Sequence, residues 1–498
     1  MPNFSLTGLL RWHWRIGLVV VVGILLWGIS AISHPLMTRL QPKPAVFSPP
    51  SISVDLKHAL PLQDVLIKHD FAKLTAVSFA VIDGKNYYRV QPFDNVVARY
   101  FSVLDGGELA EGDQRYAETL ARHYTKRGNI SAAKFLTEFD DDYHPVNRLL
   151  PVWRIDFDGD AERAPVRAYV DTEQSRLATL VDDTRHSLTS LFRFAHNWSF
   201  LQGYPRVQLW LMSTMLVALF GLGCVGIYLF FRLRKNSVQR LRGNTMRKLH
   251  RWLGLSVGLT ILTFSASGFF HLLMSYQREQ NELKVERHVF ELNQLGRDGW
   301  LPLQQTPLAR LALVEGGAWL AKPAMKDDKA GPVAQVAHLS GNHHETVKPA
   351  APPHDANILI SALNGQPLSG GVFALARDQA VAYARLTQDK AAQEVIGTEW
   401  VTRFEGEYGF LFKRLPVVKV SFSGPGNPRY YIEPTTGILS ARVDDLDALE
   451  GRLFALLHKW TFFDTNKNLR DVLQVLFVLG IVTVSVMGLS LYLKRRKP

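Results

Sequence analysis

Four stretches of this chain carry no Asp, Glu, Lys or Arg and are long enough to cross a bilayer: residues 16–33, 207–231, 252–277 and 472–493. A helix needs about 20 apolar residues for that crossing. The first stretch is the shortest, and Trp12 and Trp14 extend it. The chain is therefore expected to be an integral membrane protein whose four spans divide it into short connectors and two long segments.

Charge placement gives those segments a side. A formal charge of +12 would suit nucleic acid, but the basic residues flank the spans. Residues 232–251 hold eight Lys/Arg and no acid, and Lys494, Arg495, Arg496 and Lys497 close the chain. Arg11 and Arg15 precede the first span. Short basic flanks stay cytoplasmic, so both termini are expected there, in a bacterial inner membrane, with no nucleic-acid partner. The expected organisation is 1–34, N-terminal region and first span; 35–205, first periplasmic domain; 206–232, second span; 233–250, basic connector; 251–277, third span; 278–457, second periplasmic domain; 458–493, a histidine-bearing segment and fourth span; and 494–498, tail. Arg11, Arg15 and the stretch Ser30-Ala31-Ile32-Ser33 loosely resemble a signal peptide. An internal counterpart of this helix favours a retained span. The single cysteine, Cys224, lies inside the second span and is expected to pack. The chain has no C-x-x-C-H for covalent haem.

That counterpart belongs to a repeat. Arg11-Trp12-His13-Trp14 and Gly17-Leu18 recur as Lys248-Leu249-His250-Arg251 and Gly254-Leu255, 237 residues on. At the same offset Ile24 meets Ile261, Ser30 meets Ser267 and His34 meets His271. Farther along, His196-Asn197-Trp198 recurs as His458-Lys459-Trp460, at an offset of 262. Each half reads helix, outer segment, helix. Two parallel halves predict a four-helix bundle with a pseudo-two-fold axis along the membrane normal.

The outer segments read as mixed α/β. Residues 64–70 and 116–124 have helical spacing; 76–83, 87–92, 97–104, 152–157 and 167–170 read as strands. In the second segment, 358–363, 372–376, 381–386 and 430–433 read as strands, and 323–357 as a polar linker. Its loop histidines His338, His343, His344 and His354 are expected to be solvated.

Of sixteen histidines, six occupy matched positions at span edges: His13, His34, His196, His250, His271 and His458. A single interfacial histidine usually anchors a helix end. Three pairs kept through a diverged duplication point to ligation. His13 and His34 are 21 residues apart, as are His250 and His271; about 1.5 Å per residue gives about 31 Å, the thickness of the hydrocarbon core. Zinc would favour clustered His with Cys or carboxylate. Haem needs one or two axial ligands in an apolar slot. Arg11, Arg15, Lys248 and Arg251 stand near the cytoplasmic pair, where propionates would need cations. The six histidines are therefore expected to ligate the iron of non-covalent b-type haem, two or three per chain. His13 and His250 would share one. On the outer side, either His34 and His271 share one, or His34/His196 and His271/His458 hold one each. Met37 and Met274 are expected to pack beside them.

Met246-Arg247-Lys248-Leu249-His250-Arg251-Trp252-Leu253-Gly254-Leu255, with Gly268-Phe269-Phe270-His271 downstream, resembles the PepSY-associated transmembrane family. Bacterial iron-regulated membrane proteins and siderophore-iron reductases belong to it. Tyr431-Ile432-Glu433-Pro434-Thr435-Thr436-Gly437 and Ala168-Tyr169-Val170-Asp171-Thr172-Glu173 resemble PepSY domains. The resemblance covers nearly the whole chain. It implies four helices, two haems b and reduction of ferric siderophores at the periplasmic face. His250, His271 and His458 match the family pattern directly; His13, His34 and His196 follow through the repeat. The N-terminal copy departs from the pattern: Trp12 replaces the Leu before the histidine, and Trp14-Arg15 reverses Arg-Trp.

The leading functional expectation is a haem-dependent ferric reductase in the membrane. It would take electrons from a cytoplasmic reductant or quinol and pass them to a periplasmic ferric siderophore or another acceptor. A PepSY sensor or assembly factor would leave the paired histidines without a role. A transporter would normally need charged groups within its spans.

Overall fold

The computed structural model describes residues 5–235, 245–280, 287–324 and 357–495. The loop histidines His338, His343, His344 and His354 lie outside these residues, as do 236–244 of the basic connector and residues 496–498 of the tail. The chain forms two compact units. The first comprises residues 1–40, 184–282 and 446–498; the second comprises 41–183 and 283–445.

The first unit is built on four long helices: α1 (Leu6–Leu40), α5 (Pro205–Lys235), α6 (Thr245–Gln280) and α10 (Lys467–Arg495). All four are long and apolar enough to cross a membrane. At 35 residues α1 reaches about 52 Å, well beyond a hydrocarbon core of about 30 Å. Its ends therefore carry residues past the apolar region. Neighbouring helices pack in the cycle α1, α5, α6, α10, which leaves α1 and α6 diagonal. Val20, Ile24, Leu219, Val257, Ile481 and Val484 fill the middle. Val22, Trp210, Val217, Leu259 and Leu476 point outward and are exposed. A helix closes all its backbone hydrogen bonds internally, so this outward face is free to contact lipid. Cys224 lies on that exposed surface instead of packing. Two shorter helices, α4 (Asp183–His196) and α9 (Asp445–Leu453), precede α5 and α10.

The second unit runs twice through the same order of elements: three strands, a helix, then four strands. The first pass is β1 (Lys73–Ile82), β2 (Lys85–Pro92), β3 (Arg99–Ser102), α3 (Gly112–Thr125), then β4 (Ile130–Leu136), β5 (Val152–Phe157), β6 (Val166–Asp171) and β7 (Arg176–Val181). A short helix α2 (Leu62–Lys68) comes before it. The second pass follows β8 (Phe290–Glu291) and the turn α7 (Arg297–Trp300). It is β9 (Leu308–Val314), β10 (Ala318–Pro323), β11 (Ile358–Ser361), α8 (Gly371–Leu386), then β12 (Val395–Val401), β13 (Val417–Phe422), β14 (Arg429–Glu433) and β15 (Ile438–Val443). All pairings are antiparallel, in the orders β3-β2-β1-β8, β11-β10-β9, β4-β5-β6-β7 and β12-β13-β14-β15. Leu74 of β1 pairs with Phe290 of β8, so the two outer segments share a sheet. They also share a core, where Val77, Tyr88 and Phe101 meet Trp300, Leu311 and Trp319.

Residues 372–376 and 381–386, expected as strands, belong to the single helix α8. Ala376, Ala380 and Ala384 recur every four residues and face the core, a helical period that two short apolar runs conceal. Buried charges tie this unit together. Arg176 meets Glu433 at 2.5 Å, and Arg414 meets its other oxygen at 2.7 Å. Burial alone would push the Glu433 carboxyl up; the two guanidiniums hold it down at about 2.

Candidate cofactor site

The six histidines lie in the first unit, and the structure brings four of them together as two pairs. His13 on α1 and His250 on α6 meet across the diagonal of the bundle. Their ring centroids are 6.3 Å apart and the planes stand at 75°. His250 Nδ1 donates to the Val484 carbonyl at 3.0 Å, which leaves Nε2 with its lone pair. His13 Nδ1 is buried without a hydrogen-bond partner among the described residues. Each ring rests on a glycine of a neighbouring helix. A Cβ on Gly226 would come within 3.4 Å of His13 Cε1, and one on Gly488 within 3.2 Å of His250 Cε1. The Gly488 contact is tight enough that the ring would have to give, and the Gly226 contact stands at the limit of ordinary packing.

The second pair is His196 and His458. Their centroids are 6.4 Å apart and their planes stand at 87°. His196 ends α4, and His458 ends a π-helical turn, Phe454–His458, that follows α9. π-helical turns recur at functional sites because they re-aim a side chain. Trp198 and Trp460 then take a left-handed backbone, both at φ 53°, before the chain enters α5 and α10. Hydroxyls from the other two long helices hold the rings. Ser30 Oγ lies 3.0 Å from His196 Nδ1, and Ser267 Oγ lies 3.2 Å from His458 Nδ1. The backbone is fixed as well: Trp27 Nε1 donates to the His196 carbonyl at 3.1 Å, and Gln474 donates to the His458 carbonyl at 3.3 Å.

His34 and His271 stand outside both pairs. His34 is exposed, with its ring 5.7 Å from Phe192. His271 Nδ1 donates to Glu450 at 2.6 Å, and Arg278 holds the other oxygen of that carboxylate at 2.9 Å. Burial raises the Glu450 carboxyl, but His271 and Arg278 outweigh it and hold the group below the usual range. The His271 ring stacks on Phe454 at 4.0 Å, and Phe454 stacks on His458 at 4.7 Å. The outer arrangement therefore differs from both expected ones: His196 faces His458, while His34 and His271 flank them. Met274 is buried. Sequence reasoning aligned Ser30 with Ser267 but gave them no role, and it missed Glu450.

The donor chemistry can be tested on these distances. A metal–imidazole nitrogen bond is about 2 Å, and the nitrogen sits about 1 Å from the ring centre. Two imidazoles trans on one ion therefore place their centroids about 6 Å apart, and both pairs match. Among the described residues no group of three or more His, Cys, Asp or Glu is placed to hold a metal ion. Two imidazoles alone leave four positions around a six-coordinate iron, the number a porphyrin fills. The Nδ1 atoms of His250, His196 and His458 are anchored by Val484, Ser30 and Ser267, and such contacts orient ligating histidines. The residues present fit haem.

The sequence profile described as the PepSY-associated TM region matches residues 10–495. No curated protein matches the chain. With nearly its whole length matched, the chain belongs to the PepSY-associated TM region family.

Proposed function

We propose that this chain is a transmembrane b-haem electron-transfer protein. It would carry electrons from a cytoplasmic reductant or the quinol pool to a periplasmic acceptor, a ferric siderophore by preference. The observation that carries this reading is the spacing of His13/His250 and His196/His458, at 6.3 and 6.4 Å. Each pair takes one histidine from each half of the sequence repeat, as a pseudo-two-fold arrangement of the halves would require. The basic flanks support a bacterial inner membrane location with both termini in the cytoplasm and the long segments in the periplasm.

Bound haem would supply one-electron chemistry, and the chain would supply ligands, orientation and burial. His13 and His250 would ligate on the cytoplasmic side, with Gly226 and Gly488 giving the rings room. His196 and His458 would ligate on the outer side, with Ser30 and Ser267 fixing each ring by its Nδ1. His13 and Ser30 are 17 residues apart on one helix, about 26 Å along its axis, so the two histidine pairs stand at different depths. Reduction of ferric iron weakens its hold on the oxygen donors of a siderophore, which suits release at the outer face.

The test is the absorption spectrum of the purified protein before and after dithionite. The proposal expects b-type bands that are halved in His250→Ala and in His458→Ala and lost in the double variant. A haem-free preparation with intact periplasmic function would overturn it and favour a PepSY sensor or assembly factor.

A further inference from the structure

The second unit holds a pocket that takes no part in the route above. Its polar lining includes Arg89, Arg287 and Arg414 and the carboxylates Asp113, Asp171 and Glu173, drawn from both outer segments. Arg89 lines it with a side chain only 4% exposed. The carboxylate nearest to it is already committed. Asp113 Oδ1 accepts from the Tyr100 and Thr172 hydroxyls, each at 2.8 Å, and Oδ2 accepts from Trp153 Nε1 at 2.7 Å. Arg89 Nε is left 3.7 Å from Oδ1, beyond hydrogen-bond reach. Its Nη2 has two long contacts, Gln91 Oε1 at 3.4 Å and Thr172 Oγ1 at 3.3 Å. Its Nη1 is buried with no partner among the described residues.

The surrounding charges do not make up the deficit. Glu173 takes Arg287 at 2.7 Å, Glu433 takes Arg176 and Arg414, and Asp171 takes Arg176 at 3.1 Å. Arg310 is met by the Gln174 amide oxygen at 2.6 Å. Along the pocket's own lining Arg89, Arg287 and Arg414 balance Asp113, Asp171 and Glu173 in charge, but none of these carboxylates hydrogen-bonds Arg89 Nη1. A buried guanidinium with a free donor lacks an acceptor.

We propose that this pocket binds a small oxyanion, a carboxylate or phosphate group, with Arg89 as its principal donor. A guanidinium donor bonds an ionised oxygen about twice as strongly as a neutral one, which selects an anion over a neutral acceptor. The free Nη1 supplies a hydrogen bond that no protein atom takes. The site stands on the geometry of the second unit and not on the haem reading.

The test is thermal unfolding of the full chain in detergent at constant ionic strength, with chloride replaced stepwise by phosphate or by acetate. The expected result is a saturable rise in the unfolding midpoint with at least one of the two, absent in Arg89→Gln. A response to phosphate alone assigns a tetrahedral anion, and a response to acetate alone assigns a carboxylate. Val96 lines the pocket and is 60% exposed, so Val96→Trp narrows the mouth without touching the buried charges. That variant is expected to weaken the response at least about tenfold, the scale of a lost charge-assisted contact, and it serves if Arg89→Gln fails to fold. No response beyond chloride, or a response kept in either folded variant, overturns the proposal.

Discussion

The two histidine pairs have nearly the same spacing, yet they are held in different ways. His13 and His250 sit on long helices and are fixed by shape: a glycine on the neighbouring helix admits each ring, and only His250 has a hydrogen bond at Nδ1. His196 and His458 stand at the ends of the short helix α4 and of a π-helical turn and are fixed by chemistry: each takes a serine hydroxyl at Nδ1 and a side-chain bond at its carbonyl. The helix-borne pair needs little else because the bundle already sets its position. A pair at the ends of short elements needs its orientation supplied by neighbours. Proposed as haem ligands, the two pairs should therefore fail to different kinds of substitution.

The largest effect is expected from His458→Ala, which removes a ligand outright and should halve the haem content while leaving the His13/His250 centre spectrally intact. Gly488→Leu should come next. It forces a side chain against His250, and overpacking of this kind costs about 1–3 kcal/mol. Haem titration should show the loss on the cytoplasmic centre alone. Gly268→Ala, whose Cβ would lie 3.7 Å from His458, should be tolerated, because that is ordinary contact. Ser267→Ala should weaken only the outer centre, by about 0.5–1.5 kcal/mol for the lost hydrogen bond, read as faster haem loss and a shifted midpoint potential. The smallest effect is expected from His34→Ala and His271→Ala, which should each keep the full haem content. If either removes a haem, the outer pairing is wrong.

The same contrast explains what could be read from the sequence. His13 and His250 were legible as partners because both sit at fixed positions on uncharged helices, where the repeat offset translates directly into space. His196 and His458 were legible as matched residues but not as partners. Their positions depend on the π-helical turn and on the left-handed Trp198 and Trp460, which no periodicity announces. Glu450 left no signal, because its matched residue in the first half is Leu188 and the repeat draws no attention to it. In the second unit, strand β1 was legible from its alternation, whereas its pairing with β8 joins residues more than two hundred positions apart and is set by the shared core. Helix α8 was misread because Arg377-Asp378-Gln379 interrupts its apolar residues, so that two runs looked like strands.

The central claim is two haem centres, each with one histidine from either half. The most direct measurement is the haem-to-chain ratio of the purified protein, its His250→Ala and His458→Ala variants, and the double variant. The account predicts two haems for the parent chain, one for each single variant and none for the double. A single variant that keeps both haems, or a double variant that keeps one, would contradict it.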